Sequence, residues 1–189
     1  MDIKNLVAAT YAPMHQDGSL NTSIIKDYGN YLMRNNVAGV FMNGSTGDFV
    51  SLSTDERKEI TLAWSINKNS NLYLIDHVGS PSIKIAKELA IYASDKVDAI
   101  SVLAPFYFRL NSLDKLVQYC REVAACAPNL PFYYYHIPLL SGANFNMLDF
   151  LKLASKEIPT LEGIKFTSNN LIDYLHCKNF ENGKYEILF

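Results

Sequence analysis

Seven short apolar runs, each but the last followed by a helical pattern, predict an α/β fold built on parallel strands. The runs start roughly 25–35 residues apart, the span of a strand–loop–helix–loop unit. They are almost continuously apolar rather than alternating, as expected of strands covered on both faces. An open doubly wound sheet and a (β/α)8 TIM barrel both offer this repeat. The doubly wound dinucleotide type carries Gly-x-Gly-x-x-Gly after its first strand, and "ATYAPMHQDGSL" lacks it. The prediction is therefore a (β/α)8 barrel. A complete one usually takes about 250 residues. The 189 residues are accordingly expected to form an incomplete barrel of about seven βα units. The eighth strand is then missing, and the first and seventh strands have open edges. Residues 1–189 are read as one partial-barrel domain with no second domain.

The first strand is "LVAAT" from Leu6; Asp2 precedes it and no longer apolar region follows, which favours a strand over a leader peptide. The second is "GVFMNG" from Gly39. "STDE" from Ser53 to Glu56 is a capping box that starts a helix. Ile60, Leu62, Ala63 and Ile66 are predicted as its buried stripe. The third strand is "LYLIDHVG" from Leu72, and "SPS" at Ser80 predicts a helix with Pro81 in its first turn. The fourth is "AISVLAP" from Ala99, followed by a helix from Ser112 with Leu113, Leu116, Val117, Tyr119 and Cys120 on one face. "FYYYHIP" from Phe132, "EGIKFT" from Glu162 and "YEILF" from Tyr185 complete the set.

Composition excludes some functions. A net charge of −2 argues against a nucleic-acid-binding face and against a polybasic membrane anchor. No apolar run is long enough to span a bilayer. The cysteines, Cys120, Cys126 and Cys177, form neither a Cys-x-x-Cys pair nor a zinc spacing. That sparse set predicts a reducing, cytoplasmic setting, in which the sequons at Asn21 and Asn43 are chance matches. His15, His77, His136 and His176 are scattered, without metal spacing.

In a parallel barrel the chemistry sits at the C-terminal ends of the strands. "NGSTGD", Asn43 to Asp48, follows the second run. Its glycines let backbone N–H groups converge, and Ser45 and Thr46 add hydroxyls, which suits a carboxylate or phosphate. An ordinary glycine turn has the same pattern, and no Gly-Lys-Ser/Thr makes it a P-loop. In "YYYHIP" alternation places Tyr133 and Tyr135 on one face and Tyr134 on the other. A tyrosine there can move a proton or simply pack. His136 is expected to face the core or the helices. Tyr107, in "PFYF", is expected to be a core or interface aromatic. Lys165 stands apart. Its strand neighbours are Ile164 and Phe166, and Glu162 falls on the opposite face. A lysine buried this way has a depressed pKa, and its neutral amine can form a Schiff base. A lysine that stretches out to water at the strand end is the alternative.

"GSTGD", "YYYHIP" and "GIKFT", in that order, resemble the N-acetylneuraminate lyase branch of the pyruvate-dependent class I aldolases, to which dihydrodipicolinate synthase is related. The resemblance runs from "LVAAT" to the last residue. It implies a barrel followed by helices and assembled as a homotetramer. It implies Lys165 as the Schiff-base lysine and Tyr135 as the proton-relay tyrosine. It implies Ser45 and Thr46 as the carboxylate-holding pair, Thr167 near the sugar chain, and Tyr107 as an accessory tyrosine. The implied reaction is retro-aldol cleavage of N-acetylneuraminate to N-acetylmannosamine and pyruvate, without metal or organic cofactor. Leu140 stands where the synthases carry an arginine for a second carboxylate, and an apolar side chain cannot make that bidentate contact. Asp48 replaces the usual glutamate, which implies a minor structural change. Another 2-oxo-acid aldolase, or an inactive short form that associates with full-length subunits, are the alternatives. The chain also stops before the loop that contacts the sugar hydroxyls, so a short form is expected to fold poorly and turn over weakly.

Overall fold

The computed structural model describes residues 6–68 and 72–189. In chain order it contains β1 (Leu6–Ala9), α1 (Ile25–Arg34), β2 (Val37–Met42), α2 (Thr54–Ile66), β3 (Tyr73–His77), α3 (Ile83–Ala93), β4 (Ala99–Leu103), α4 (Leu113–Ala124), β5 (Phe132–His136), α5 (Pro138–Ser141), α6 (Met147–Glu157), β6 (Leu161–Phe166), α7 (Leu171–Asn179) and β7 (Glu186–Leu188). Seven strands alternating with helices among the described residues are the (β/α)-barrel repeat, one strand short of eight. The chain divides into two compact units.

One unit comprises the described residues of Met1–His77 together with Tyr92–Ala99. Here β1 pairs with β2 and β2 with β3, all parallel. α2 begins as predicted: Ser53 Oγ accepts from Glu56 N at 3.2 Å, and Ser53 N donates to Glu56 Oε2 at 2.8 Å. Its buried stripe differs from the expectation. Arg57, Ile60, Thr61, Ala63 and Trp64 face inward, whereas Leu62 and Ile66 are exposed. Two polar residues occupy the core face because, as described below, they have buried partners there.

The other unit comprises Val78–Ile91 and Ile100–Phe189. β4 pairs with β5, β5 with β6 and β6 with β7, again all parallel. Every residue of β4 and β5 is buried, as continuous apolar runs require. Ser112 caps α4, which buries Leu116, Val117, Tyr119, Cys120, Val123 and Ala124. Pro81 does not lie in the first turn of α3. The helix starts at Ile83, and the first helical carbonyl to accept is that of Ser82, from Ala86 N at 3.0 Å. Ser80 Oγ instead accepts from Ser82 N at 3.2 Å, a turn that ends before the helix begins. Among the described residues no helix is long and apolar enough to cross a membrane.

Candidate active site

The register across β5, β6 and β7 builds two rows on one sheet face. Tyr133, Gly163 and Glu186 form one row, and Tyr135, Lys165 and Leu188 the next. Lys165 is half-buried. Its Nζ lies 3.8 Å from the centroid of the Tyr135 ring. Burial holds the Lys165 pKa below the ordinary lysine value, while attraction to Tyr135 and a hydrogen bond with it oppose the shift. The aromatic face favours the charged amine and desolvation favours the neutral one; desolvation wins. A lowered pKa raises the share of neutral amine, the nucleophilic form, and partial burial leaves the group open to a small molecule.

The row beneath is tied across β6. Tyr133 Oη donates to Glu186 Oε2 at 2.5 Å, a charge-assisted bond. Gly163 makes room for it: a Cβ there would fall 1.8 Å from the Glu186 carbonyl oxygen. On the other sheet face, Tyr134 packs on Phe150 of α6, with centroids 4.5 Å apart. His136 is 3 % exposed, with its ring 5.1 Å from that of Phe166. Burial pulls its pKa down to about 4 against the opposing pull of Asp173. This is a core histidine that faces the helices.

Thr167 follows β6 and is exposed; its backbone N–H donates to His136 O at 2.8 Å. Tyr107 is not a core aromatic. It is 86 % exposed, meets Phe108 edge-on at 5.1 Å, and has left-handed backbone, φ 70°.

In the first unit the Gly-rich segment is a single 3₁₀ turn, Ser45–Gly47, closed by Asp48 in left-handed conformation, φ 50°. Asp48 N donates to Ser45 O at 3.1 Å, so Asp48 caps the turn through its backbone. Ser45 is half-buried and Thr46 is exposed. The turn hangs from a buried polar cluster. Asn43 leaves β2 with φ 54°. Its Nδ2 donates to Asp76 Oδ1 at 2.8 Å and lies 3.1 Å from Thr61 Oγ1. Thr61 Oγ1 donates to Asp76 Oδ2 at 2.7 Å. The Arg57 guanidinium donates to the carbonyl of His77. His77 Nδ1 lies 2.8 Å from Asn43 O; a carbonyl only accepts, so Nδ1 carries the proton. Asn43 is 3 % exposed, which leaves its sequon no room for a glycan.

Lys165 and Tyr135 are thus brought together, and Ser45 and Thr46 share one turn. Asp76 and Glu186 are residues that sequence reasoning missed. Both are acids inside apolar runs, "LYLIDHVG" and "YEILF", and the burial argument that singled out Lys165 applies equally to them. Among the described residues no three His, Cys, Asp or Glu side chains gather as a metal site.

The sixth strand of a parallel β/α repeat thus presents a half-buried lysine on a tyrosine ring. The chain belongs to the dihydrodipicolinate synthetase family, whose model matches residues 2–187. It is 42 % identical over 178 residues to the N-acetylneuraminate lyase of Xenopus tropicalis, covering 93 % of this chain and 58 % of the relative. The solved N-acetylneuraminate lyase of Proteus mirabilis superposes with a TM-score of 0.96 at 38 % identity, over 99 % of this chain and 63 % of that one. A sialic acid aldolase of Ruminococcus gnavus, described as a catalytic lysine mutant, superposes with a TM-score of 0.91 at 29 % identity, over 97 % of this chain and 60 % of that one. The chain therefore spans about three-fifths of the length of the relatives it matches.

Proposed function

We propose that this chain carries the chemistry of an N-acetylneuraminate lyase. The observation that carries the proposal is the half-buried Lys165 stacked on Tyr135, in a chain 42 % identical to such a lyase. Lys165 Nζ attacks C2 of the open-chain 2-oxo acid, and loss of water leaves an iminium. Tyr135, directly or by relay, accepts the C4 hydroxyl proton as the C3–C4 bond breaks. The bonding pair flows into the iminium and forms an enamine, and N-acetylmannosamine leaves. Protonation at C3 and hydrolysis release pyruvate and restore the amine. The iminium is itself the electron sink, so the scheme calls for no metal or organic cofactor.

In this proposal Ser45 and Thr46 hold the substrate carboxylate. Thr167 lies by the sugar chain, and the exposed Tyr107 is the accessory residue. The full protein is proposed to act on small molecules in the cytoplasm, as a homotetramer.

A second reading, a different 2-oxo-acid aldolase, has one observation in its favour. Leu140 is 63 % exposed and cannot bind a carboxylate. Yet a Cβ on Gly142 would fall 2.3 Å from Arg109 Nε, so a guanidinium does lie against the segment just past α5. A substrate panel separates the two readings. Pyruvate released from N-acetylneuraminate, without reaction of 4-hydroxy-2-oxoglutarate or aspartate semialdehyde, is the expected result. Turnover of the dicarboxylate alone would favour the second reading.

A further inference from the structure

We infer that Asp76, acting through Asn43 and Thr61, is a positioning residue that fixes the Ser45–Gly47 turn for carboxylate binding. This rests on the reading of Ser45 and Thr46 as carboxylate holders. Three observations support it. Asp76 is the penultimate residue of β3 and the register partner of Met42, the last residue of β2. Its two carboxylate oxygens take separate donors, Asn43 Nδ2 on one and Thr61 Oγ1 on the other, in a site only 2 % exposed. Asn43 is also the residue at which the chain turns from the strand into the loop, in left-handed backbone.

The geometry links side chain to loop. Left-handed backbone is costly for most residues with a Cβ and least so for asparagine. Here the Asn43 amide is held by Asp76 and its carbonyl by His77 Nδ1. Arg57 ties the carbonyl of His77 to α2, and Thr61 ties Asp76 to the same helix. The conformation that starts the turn is therefore dictated from a buried, rigid cluster rather than by the exposed loop. A turn fixed before the ligand arrives binds an anion without first having to be ordered. Asp76 does not touch the substrate in this scheme; it sets the residue from which the binding turn departs.

The test uses Asp76→Leu, with the same branched skeleton but without acceptors, and Asn43→Gly, which tolerates the backbone angle but lacks the amide. The chain and each variant are titrated with pyruvate and with pyruvamide, its uncharged analogue, and the Lys165 imine is trapped with borohydride. The unaltered chain is expected to prefer pyruvate, and both variants to lose about tenfold of that preference, equivalent to ~1.4 kcal/mol. A general loss of stability lowers both titrations alike and leaves the ratio in place. Asp76→Asn, which keeps one acceptor, is expected to lose less and serves if Asp76→Leu does not fold. Hydrogen exchange across 43–48 is measured alongside, and about tenfold faster exchange is expected there in the variants. Retained preference with unchanged exchange overturns the inference. A trapped adduct without any preference in the unaltered chain overturns the carboxylate reading instead, whatever the exchange data say of Asp76.

Discussion

Among the ionisable side chains in the apolar strands of this molecule, the fold treats Asp76 in β3 and Lys165 in β6 differently. In both, burial pushes the pKa towards the neutral form, up for Asp76 and down for Lys165. Asp76 is sealed, with Asn43 and Thr61 as donors and the Arg57 charge nearby. Lys165 is half-buried and lies on an aromatic ring. A sealed, hydrogen-bonded charge specifies geometry; a charge that is part-desolvated but reachable can react. Access, more than the size of the pKa shift, divides the two roles.

That contrast can be broken or sharpened by mutation. The largest effect is expected beside the reachable group. Tyr135→Phe should slow carbon–carbon cleavage by roughly 10²–10⁴-fold, the usual worth of a positioned acid–base group. Imine trapping on Lys165 should survive, because removing the hydroxyl takes away one group that favours the charged amine. Equal loss of both steps would mean that Tyr135 only packs.

His136 is a second sealed group and should speak through stability alone. Its folded pKa of about 4 lies below the 6.5 of a free histidine. The folded state therefore binds fewer protons between these values. The stability it contributes is present above pH 6.5 and lost as pH falls through about 4. The loss should approach ~3 kcal/mol at pH 4. Urea unfolding from pH 7 to 4 should show that slope, and His136→Asn should flatten it. An unchanged slope in the variant would place the acid sensitivity elsewhere.

A smaller effect is expected from Gly163→Ala. The added Cβ would meet the Glu186 carbonyl at 1.8 Å, and forcing β6 from β7 should cost about 1–3 kcal/mol. Thermal denaturation measures it. Tyr133→Phe, which removes the hydroxyl bonded to Glu186 but adds no atom, should cost less.

Much of this was readable in the sequence because it is local. The apolar runs, the Ser53 capping box and the alternation of Tyr133, Tyr134 and Tyr135 depend on near neighbours, and the structure repeats them. Lys165 was readable because an ammonium in an apolar strand demands an explanation. The α2 stripe was not, since Arg57 and Thr61 turn inward only because Asp76 and the His77 carbonyl await them from β3. The Tyr133–Glu186 bond was equally hidden. It joins residues 53 positions apart across an intervening strand, and depends on what Gly163 lacks. The exposure of Tyr107 was not readable, because its aromatic character says nothing of the left-handed loop that carries it. How the Ser45–Gly47 turn is held also rests on the tertiary cluster beneath it, which no local pattern displays.

The central claim is that Lys165 is the imine-forming residue. The direct test is to mix the chain with pyruvate, reduce with borohydride, digest, and locate the adduct by mass spectrometry, with Lys165→Ala as control. The account predicts one adduct, on the peptide that holds Lys165, absent from the variant. A folded chain with no adduct, or an adduct on another lysine that persists in Lys165→Ala, would contradict it.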